Sequence, residues 1–498
     1  MPFLSVDVGT THCKAGMIGE NGEVISLASM PMRSSVSSSG YSFYDPKELL
    51  ETVIGAIRIA TDRQEKNSLA AIGVSSMAES GLLMERSDGT VHSPIIPWFD
   101  MSSSGQVEKI RRVSGSLERF CKTGIHVSFK CGLAKLLWLK DQGVPIGQGM
   151  VWMSVADYIV YRLTGEISTD YSLAGRTFAF RIDRKEWDAP WLQEWGLPVN
   201  VFPSARPSGE PVGKLTARQL INLGLPAGIP VVVAGHDHIC AAFGAGVIEP
   251  GLVFDSMGTA ESLFGAISER ELGEKEYRSG LSYGCHVVNG HMYWVGGLSA
   301  SGGSLEWLRS ILGQPSLTYD ELDALQQEMG IEPGDILYFP YLAGSGSPHT
   351  DSTMRAAFIG LNSTHKRADF VKAILEGTGY EIETARLAAE RVSDVRVDHV
   401  VAAGGGTRNH HWLQIKADIS NCNYHILPVS EATLLGAALL AGIGCGYYAN
   451  VQEAISAVSP QQPITILPDP DRHLIYQRKF SNGYLALQEP LRAYFNSL

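Results

Sequence analysis

Residues 234–246 read AGHDHICAAFGAG and follow the apolar run IPVVV at 229–233. Asp237 therefore stands just past a buried strand, between two histidines, with glycine on either side. An unpaired buried carboxylate is costly, so the position asks for a metal ligand, a base, a cap for the helix that follows, or a plain loop. Four Gly-containing turns offer a second chemistry: DVGTTHCK (7–14), SMGTAES (256–262), SASGGSLEW (299–307) and GGGTRNHHW (404–412). A phosphate needs free backbone N–H groups, hydroxyls, small residues and a cation. In the first turn Gly9 permits tight geometry, Thr10 and Thr11 bring hydroxyls and N–H groups, and Lys14 brings positive charge. Asp7, at the strand end, could hold a magnesium ion through water. Each turn alone reads equally as a loop. Together, spread over both halves of the chain, they suggest a nucleotide held between two domains. The chain has no GxxxxGK[ST] stretch, which argues against a P-loop ATPase, and no GxGxxG after a strand, which counts against a dinucleotide site.

Other residues carry competing readings. His236 and His238 lie two apart and share a face in extended chain, but a metal site wants a third ligand and none is evident. One of the pair reads as a packed, hydrogen-bonded histidine. His410 and His411 open a helix beside a Gly turn and read as exposed or capping residues. Trp138, Trp152, Trp187 and Trp307 fit a core, while Trp98 fits a core or a sugar platform equally. Asp237 with Asp255 would make a carboxylate pair for glycoside hydrolysis, which nothing else in the sequence supports.

The elements that must position these groups follow from the hydrophobic pattern. FLSVDVGTTHCKAGMIGENGEVI opens with β-type runs at 3–8 and 14–18, and GENGE (19–23) is a hairpin signal. A mixed helical stretch covers 46–64, and AAIGVSS (70–76) and GIPVVVAG read as buried strands. Residues 130–165 read as helical, through KLLWLKDQG and VADYIVYRLTG. GLVFDSMGTAESLFGAI (251–267) repeats the opening strand, G-T turn and strand at an offset of 249 residues, which predicts two related halves. Apolar spacing predicts a helix over 367–392. VDHVVAAGGGTRNHHW (397–412) reads as strand, Gly turn and helix, and EATLLGAALLAGIG (431–444) as a small-residue helix that packs closely on a neighbour. Alternating strands and helices point to α/β layers with mostly parallel sheet, and a domain boundary is expected near 245–250.

Bulk composition narrows the class. The 498 residues are 44% hydrophobic and 18% charged, as in ordinary globular chains with two to four domains. The net charge is -12 with no basic block, so a nucleic-acid partner is not expected. Seven scattered cysteines without CxxC suit reduced thiols in a cytoplasmic protein. There is no signal-peptide pattern at the start and no apolar run of membrane-spanning length, so no membrane partner is expected.

In this order the motifs resemble the FGGY carbohydrate kinases, within the superfamily of actin, heat-shock chaperones and hexokinase. DVGTT with Lys14 resembles the family's first phosphate loop and IIPWFD (95–100) its W-x-D segment. Thr123-Gly124, KLLWLKD (135–141) and DYIVYRLTGEISTDYSLAGRT (157–177) resemble the sugar-side stretches, AGHDH the catalytic G-x-D segment and SMGTAES the second phosphate loop. YFPYLAGSGSPHTDSTMRAAFIGL (338–361), LEGTGYEIE (375–383), GGGTRNHHWLQIKADI (404–419) and EATLLGAALLA (431–441) complete the set. The resemblance implies two related actin-like (ribonuclease H-like) α/β domains, with mixed sheets flanked by helices and a cleft between them. Residues 1–245 would hold the sugar, the base and the first phosphate loop, and residues 246–498 the adenine nucleotide. It implies transfer of the γ-phosphoryl group of ATP to a sugar or polyol hydroxyl, with Mg²⁺ and with Asp237 as the base. Asp7 would orient Mg²⁺ through water, Asp237 would lie beside it, and Thr10, Thr11 and Lys14 would contact the β- and γ-phosphates next to Gly9. Gly258 and Thr259 would meet the phosphates from the other domain. Gly302 and Glu306 would lie near ribose or base, and Gly405, Gly406 and Asn409 near the α-phosphate and adenine. Glu79, Trp98, Asp100, Asp237 and His238 would face the sugar. Soluble members of the family are often dimers.

The chain also departs from the family pattern. WFDMSS places Met101 where an Asp-x-Arg is common, GSGSP (344–348) replaces a G-E-R-S/T-P stretch, and Ala356 and Ala78 stand at positions often held by other residues. These changes touch the sugar pocket and its hinge rather than the ATP loops. AGHDH resembles the segment in fuculose and rhamnulose kinases and favours a ketose acceptor over glycerol. The rival readings are an ATPase of the superfamily without a sugar substrate, a glycerol or polyol kinase, and a sugar-binding protein without turnover.

Overall fold

The computed structural model describes residues 1–427, 431–458 and 463–498. Strand β1 (Phe3–Val8) turns through Gly9–Thr11 into β2 (His12–Ile18), and a second hairpin leads to β3 (Val24–Pro31). Gly9 N–H donates to the His12 carbonyl at 3.0 Å and Gly19 N–H to Glu23 at 2.8 Å, closing the two turns. Helix α1 (Pro46–Ala60) starts at Asp45, whose carboxylate accepts from the Lys47 and Glu48 N–H groups, and buries Leu49, Val53, Ala56 and Ile57. Next come β4 (Ile72–Ser76), α2 (Gly132–Asp141), α3 (Val155–Thr164), β5 (Pro211–Lys214), β6 (Pro230–His236) and α4 (Asp237–Gly244). The six strands form one sheet in the order β5-β6-β4-β1-β2-β3.

The second half repeats this plan. Strands β7 (Leu252–Met257), β8 (Glu261–Ser268), β9 (Ser282–Cys285) and β10 (His291–Leu298) precede α5 (Gly302–Ile311) and the 27-residue α6 (Arg367–Ser393). They are followed by β11 (His399–Ala403), α7 (His410–Ser420), β12 (Asn423–Ile426), α8 (Ala432–Gly444) and β13 (Ile464–Ile466). The sheet order is β9-β10-β8-β7-β11-β12-β13. In the first sheet β1 runs antiparallel to β2 and parallel to β4, and β4 runs parallel to β6. In the second, β7 runs antiparallel to β8 and parallel to β11, and β11 runs parallel to β12. The two cores therefore share one topology, as the repeated strand–turn–strand pattern predicts.

Two expectations are corrected. The sheets are mixed rather than mostly parallel, because consecutive strands joined by tight turns can only pair antiparallel. The stretch 130–165 is not continuously helical: Met150–Ser154 is a strand between α2 and α3, paired with Gly81–Glu85. That partner is too far along the chain for local periodicity to reveal.

Helix α8 binds the halves together. It lies among the second-half strands in sequence, between β12 and β13, yet packs on β1, β2, β4 and β6 and lies along α4. Its small residues make this possible. A Cβ on Gly436 would collide with the Cys240 carbonyl of α4, and one on Gly244 with the Ala432 carbonyl. Among the described residues, no helix is long and apolar enough to cross a membrane.

Candidate active site

Asp237 is the first residue of α4, directly after β6. The path into it is tightly fixed. Gly235 has φ 120° at a register shift between β6 and β4, and a Cβ there would lie 2.5 Å from Ser172 Oγ. The His236 N–H donates to Ser172 Oγ at 2.9 Å, and Ser172 Oγ donates to Asp170 Oδ2 at 2.6 Å. Asp237 Oδ1 accepts from the His238 N–H at 2.8 Å and lies 3.3 Å from His236 Nε2. Burial pushes the Asp237 carboxyl up from the carboxylate range; the Glu79 charge adds to this, and the His238 N–H works against it.

Asp7 stands in register with Lys14 on β2 and Ser75 on β4. Ser75 Oγ donates to Asp7 Oδ1 at 3.3 Å. Burial and then the neighbouring Asp237 raise the Asp7 carboxyl, while Lys14 opposes them. Two carboxylates 230 residues apart in sequence thus share one half-buried spot. Lys14 is held from the other half of the molecule: its Nζ donates to both Glu431 oxygens, at 3.0 and 2.8 Å. Thr10 faces the other way. Its Oγ1 accepts from Trp98 Nε1 at 2.9 Å, and its carbonyl accepts from the Tyr44 hydroxyl at 2.7 Å. Thr11 is exposed beside His12.

Glu79 occupies the left-handed region, with φ 63°. Arg176 grips its Oε1 through Nε at 3.0 Å and through Nη2. Burial would raise the Glu79 carboxyl, but Arg176, Lys130 and Lys135 more than offset it and hold it below its usual value. Lys135 is fully buried. Its ammonium donates to the Glu79 carbonyl, to Pro97 at 2.9 Å and to Ile96 at 3.4 Å, tying Glu79 to the segment that carries Trp98. Burial pushes Lys135 down to about 7, with Glu79 opposing. Lys130 Nζ lies 5.1 Å from the Trp98 ring centroid. His238 is pushed down to about 4 by burial, partly offset by Glu79, and its Nδ1 has no partner. Neither is His236 Nδ1 paired, so neither histidine has the fully bonded ring expected of a packed one. The Phe264 ring of β8 sits 5.1 Å from His238, so the second sheet reaches the neighbours of Asp237.

Asp100 is held by backbone. Its Oδ2 accepts from the Ser42 N–H at 2.7 Å and its Oδ1 from the Ser102 N–H at 3.0 Å, and it is buried. Its carboxylate holds the loop after Trp98.

The second-half turns converge. The Gly302 N–H donates to the Gly258 carbonyl at 3.1 Å, and the Ser301 and Gly303 N–H groups donate to Thr259 at 2.9 and 3.0 Å. A Cβ on Gly302 would lie 2.6 Å from the Gly258 oxygen. Gly404 (φ 99°) packs against the Met257 carbonyl, and Gly406 against the Met257 side chain. Gly258, Thr259 and Gly405 remain exposed. The Asn409 side-chain oxygen caps α7 through the Trp412 N–H at 3.0 Å, which leaves its amide nitrogen free. Glu306 is exposed, with its oxygens taken by Arg309 at 2.8 Å and the Tyr319 hydroxyl at 2.9 Å. Sequence reasoning did not single out Arg176, Lys135 or Lys416. The one available signal was a charged residue inside an otherwise apolar stretch.

The N-terminal domain model of the FGGY family of carbohydrate kinases matches residues 3–244, and its C-terminal domain model matches residues 256–445. The chain is 28% identical over 458 residues to a xylulose kinase of Staphylococcus xylosus, covering 91% of this chain and 93% of that one. It is 30% identical over 467 residues to a glycerol kinase of Thermococcus onnurineus (strain NA1), covering 91% and 90%. Among solved structures it resembles the xylulose kinase from Rhodospirillum rubrum, with a TM-score of 0.86 and 25% identity over the full length of both chains.

Proposed function

Because the chain belongs to the FGGY family of carbohydrate kinases, we propose that it transfers the γ-phosphoryl group of ATP to a hydroxyl of a small ketose, a pentulose or a 6-deoxyhexulose. The observation that carries this reading is the position of Asp237. It sits half-buried at the junction of the halves, close enough to feel the charge of Glu79, which is paired with Arg176, and to act on Asp7. In the transfer, the acceptor oxygen bonds to phosphorus, the bond from phosphorus to the ADP oxygen breaks, and the acceptor proton passes to an Asp237 oxygen. A carboxyl raised by burial holds that proton better than an exposed one and suits a base working near neutral pH.

Glu79 Oε2 is left free by Arg176 and would accept from an acceptor hydroxyl, while His238, neutral at physiological pH, would bond a second one. Trp98 would supply a flat apolar wall. Thr11, Lys14 and the N–H groups around Gly9 would meet the phosphates from the first half, and Gly258 and Thr259 would meet them from the second, with Gly302 near the ribose or base. Gly405, Gly406 and the free Asn409 amide would lie toward the adenosine. The closeness of the two half-buried carboxylates Asp7 and Asp237 fits a divalent cation. Among the described residues no three His, Cys, Asp or Glu side chains converge, so Mg²⁺ there would keep most of its water shell. When bound, Mg²⁺ offsets charge on the phosphate oxygens.

The test is a coupled ADP-release assay with MgATP and a panel of pentuloses, hexuloses, 6-deoxyketoses, tetruloses, glycerol, polyols and gluconate. A ketose that stimulates ADP release and gains one phosphate is the expected result. Stimulation by glycerol alone would replace the ketose reading, and a flat panel with slow sugar-independent hydrolysis would overturn acceptor phosphorylation by these classes.

A further inference from the structure

Beneath the second-half turns lies an ionic cluster that touches no solvent. Asp255, Glu261, Ser301 and Lys416 are all 0–1% exposed. Asp255 and Glu261 flank the Gly258–Ala260 turn, one on β7 and one on β8. Lys416 comes from α7, the helix that the GGGTRN turn opens. Its Nζ donates to Asp255 Oδ2 at 3.1 Å and to Glu261 Oε1. Glu261 Oε2 in turn accepts from the hydroxyl of Ser301, the residue before Gly302 at the head of α5. One ammonium therefore touches both strands that carry the first turn, reaches the root of the second through Glu261, and rides on the helix that carries the third.

We propose that Lys416 is a positioning residue for the nucleotide: with Asp255, Glu261 and Ser301 it sets the relative placement of the three Gly turns at 258–259, 302–303 and 404–406. The inference rests on the nucleotide reading of those turns. None of the four side chains can reach a ligand, so their effect passes through geometry alone. Space filling does not require them, since apolar residues of similar volume often replace a buried ion cluster without loss of stability. What the cluster adds is direction, because carboxylates from two strands are fixed on one nitrogen. Two carboxylates on one ammonium would leave excess negative charge. Burial and then the adjacent Glu261 raise the Asp255 carboxyl, which favours its neutral form and brings the cluster toward balance.

The test is the dissociation constant of MgADP, measured by titration calorimetry on the full chain, together with the melting temperature and the acceptor KM. Lys416→Met should weaken MgADP about tenfold or more, the scale of losing hydrogen bonds to charged groups. It should leave the acceptor KM unmoved, and Lys416→Arg should recover most of the loss. Ser301→Ala breaks only the outermost link. It should weaken MgADP while the acceptor KM stays unmoved, a split that a general loss of stability would not produce. A folded Lys416→Met protein that binds MgADP like wild type overturns the proposal. If Lys416→Met does not fold, an unchanged MgADP affinity in Ser301→Ala overturns it instead. A wild-type chain that does not bind MgADP removes the nucleotide reading, and this inference with it; that result differs from a loss confined to the variants.

Discussion

Replacing Lys135 by methionine separates a packing role from a role in the acceptor site. Methionine fills nearly the same space but donates nothing to the carbonyls of Glu79, Ile96 and Pro97. Glu79 sits at φ 63°, and a non-glycine residue held in that region stores about 1–3 kcal/mol. Without the ammonium the segment is free to relax by that amount. The acceptor would then bind a minor conformer, and its apparent affinity should fall about 5- to 150-fold. Stability should change less than a simple count of lost bonds implies. Leaving a buried carbonyl unpaired costs about 1–3 kcal/mol, but the variant no longer buries a cation that the fold pushes down to about 7. The pH dependence gives a second readout. Between the folded value near 7 and the ordinary 10.5, the unfolded chain holds the Lys135 proton more tightly than the folded one. Stability from this residue therefore rises with pH across that window, and Lys135→Met should flatten the rise. The assay is steady-state ADP release with the best acceptor of the panel, and unfolding is followed at pH 6, 8 and 9.5. The acceptor KM should rise while the KM for ATP stays within about twofold, as expected for distant, independent sites. A folded Lys135→Met enzyme with an unchanged acceptor KM would refute the clamp.

Asp237→Asn should bind MgADP and acceptor nearly as well as wild type but lose about two to four decades of kcat, the range of a general base; near-normal turnover removes Asp237 from that role. Since burial raises Asp237 and the base must be ionised, kcat/KM should rise with pH along an acid limb displaced above the usual carboxylate range. A limb at the unperturbed position of 3.8 would contradict the buried site. Lys14→Met removes the cation of the first turn and strips Glu431 of the two bonds that Lys14 donates. It should raise the KM for ATP about tenfold, on the scale of a charge-assisted pair, and leave the acceptor KM alone; the opposite split would misplace the turn. Gly436→Ala forces a methyl onto the Cys240 carbonyl and should cost about 1–3 kcal/mol by overpacking. That loss is readable in a melting curve, and an unchanged melting temperature would mean that α4 and α8 are less closely packed than described.

How much of this was legible in the sequence depended on chain distance. The opening hairpin, the strand before Asp237 and the α8 stripe of small residues were readable because their signals are local: apolar runs, Gly turns and periodicity. The G-T turns were also readable, since a tight turn is written in consecutive residues. The strand at 150–154 was not, because it exists by pairing with 81–85. Nor was the occupation of Asp100, whose partners include the backbone of Ser42, 58 residues away. The pairing of Glu79 with Arg176 spans 97 residues. A carboxylate seen alone in SSMAES looks free for substrate, whereas in the fold one of its oxygens belongs to a guanidinium.

The two buried lysines were legible in a weaker sense, which suggests how such sites can be sought. Lys135 stands in GLAKLLWLKD, where eight consecutive residues from Gly132 to Leu139 are buried. Lys416 stands in WLQIKADIS, inside the run Ile415–Ser420, which is buried throughout. A lysine in such a stretch has two physical options: to reach solvent with its ammonium, or to find enough oxygens to replace its water. Helix α2 is apolar on nearly all sides and leaves Lys135 no route out. Three carbonyls take the place of water there, and two carboxylates do so for Lys416. Gathering oxygens at one point requires separate chain segments to meet, and those segments are the ones that carry Glu79 and Trp98 in the first half and the three Gly turns in the second. A charge within a core pattern thus predicts a junction of segments even when the sequence cannot name them. In a two-domain molecule whose ligands are to be gripped by loops, those junctions are where the precision of the grip is set. Lys135 and Lys416 should therefore control different ligands: variants at the first should move the acceptor KM, and variants at the second the affinity for MgADP. A double variant should combine the two losses in proportion, because the sites share no partner, and a marked departure from additivity would show that the halves are coupled through more than α8.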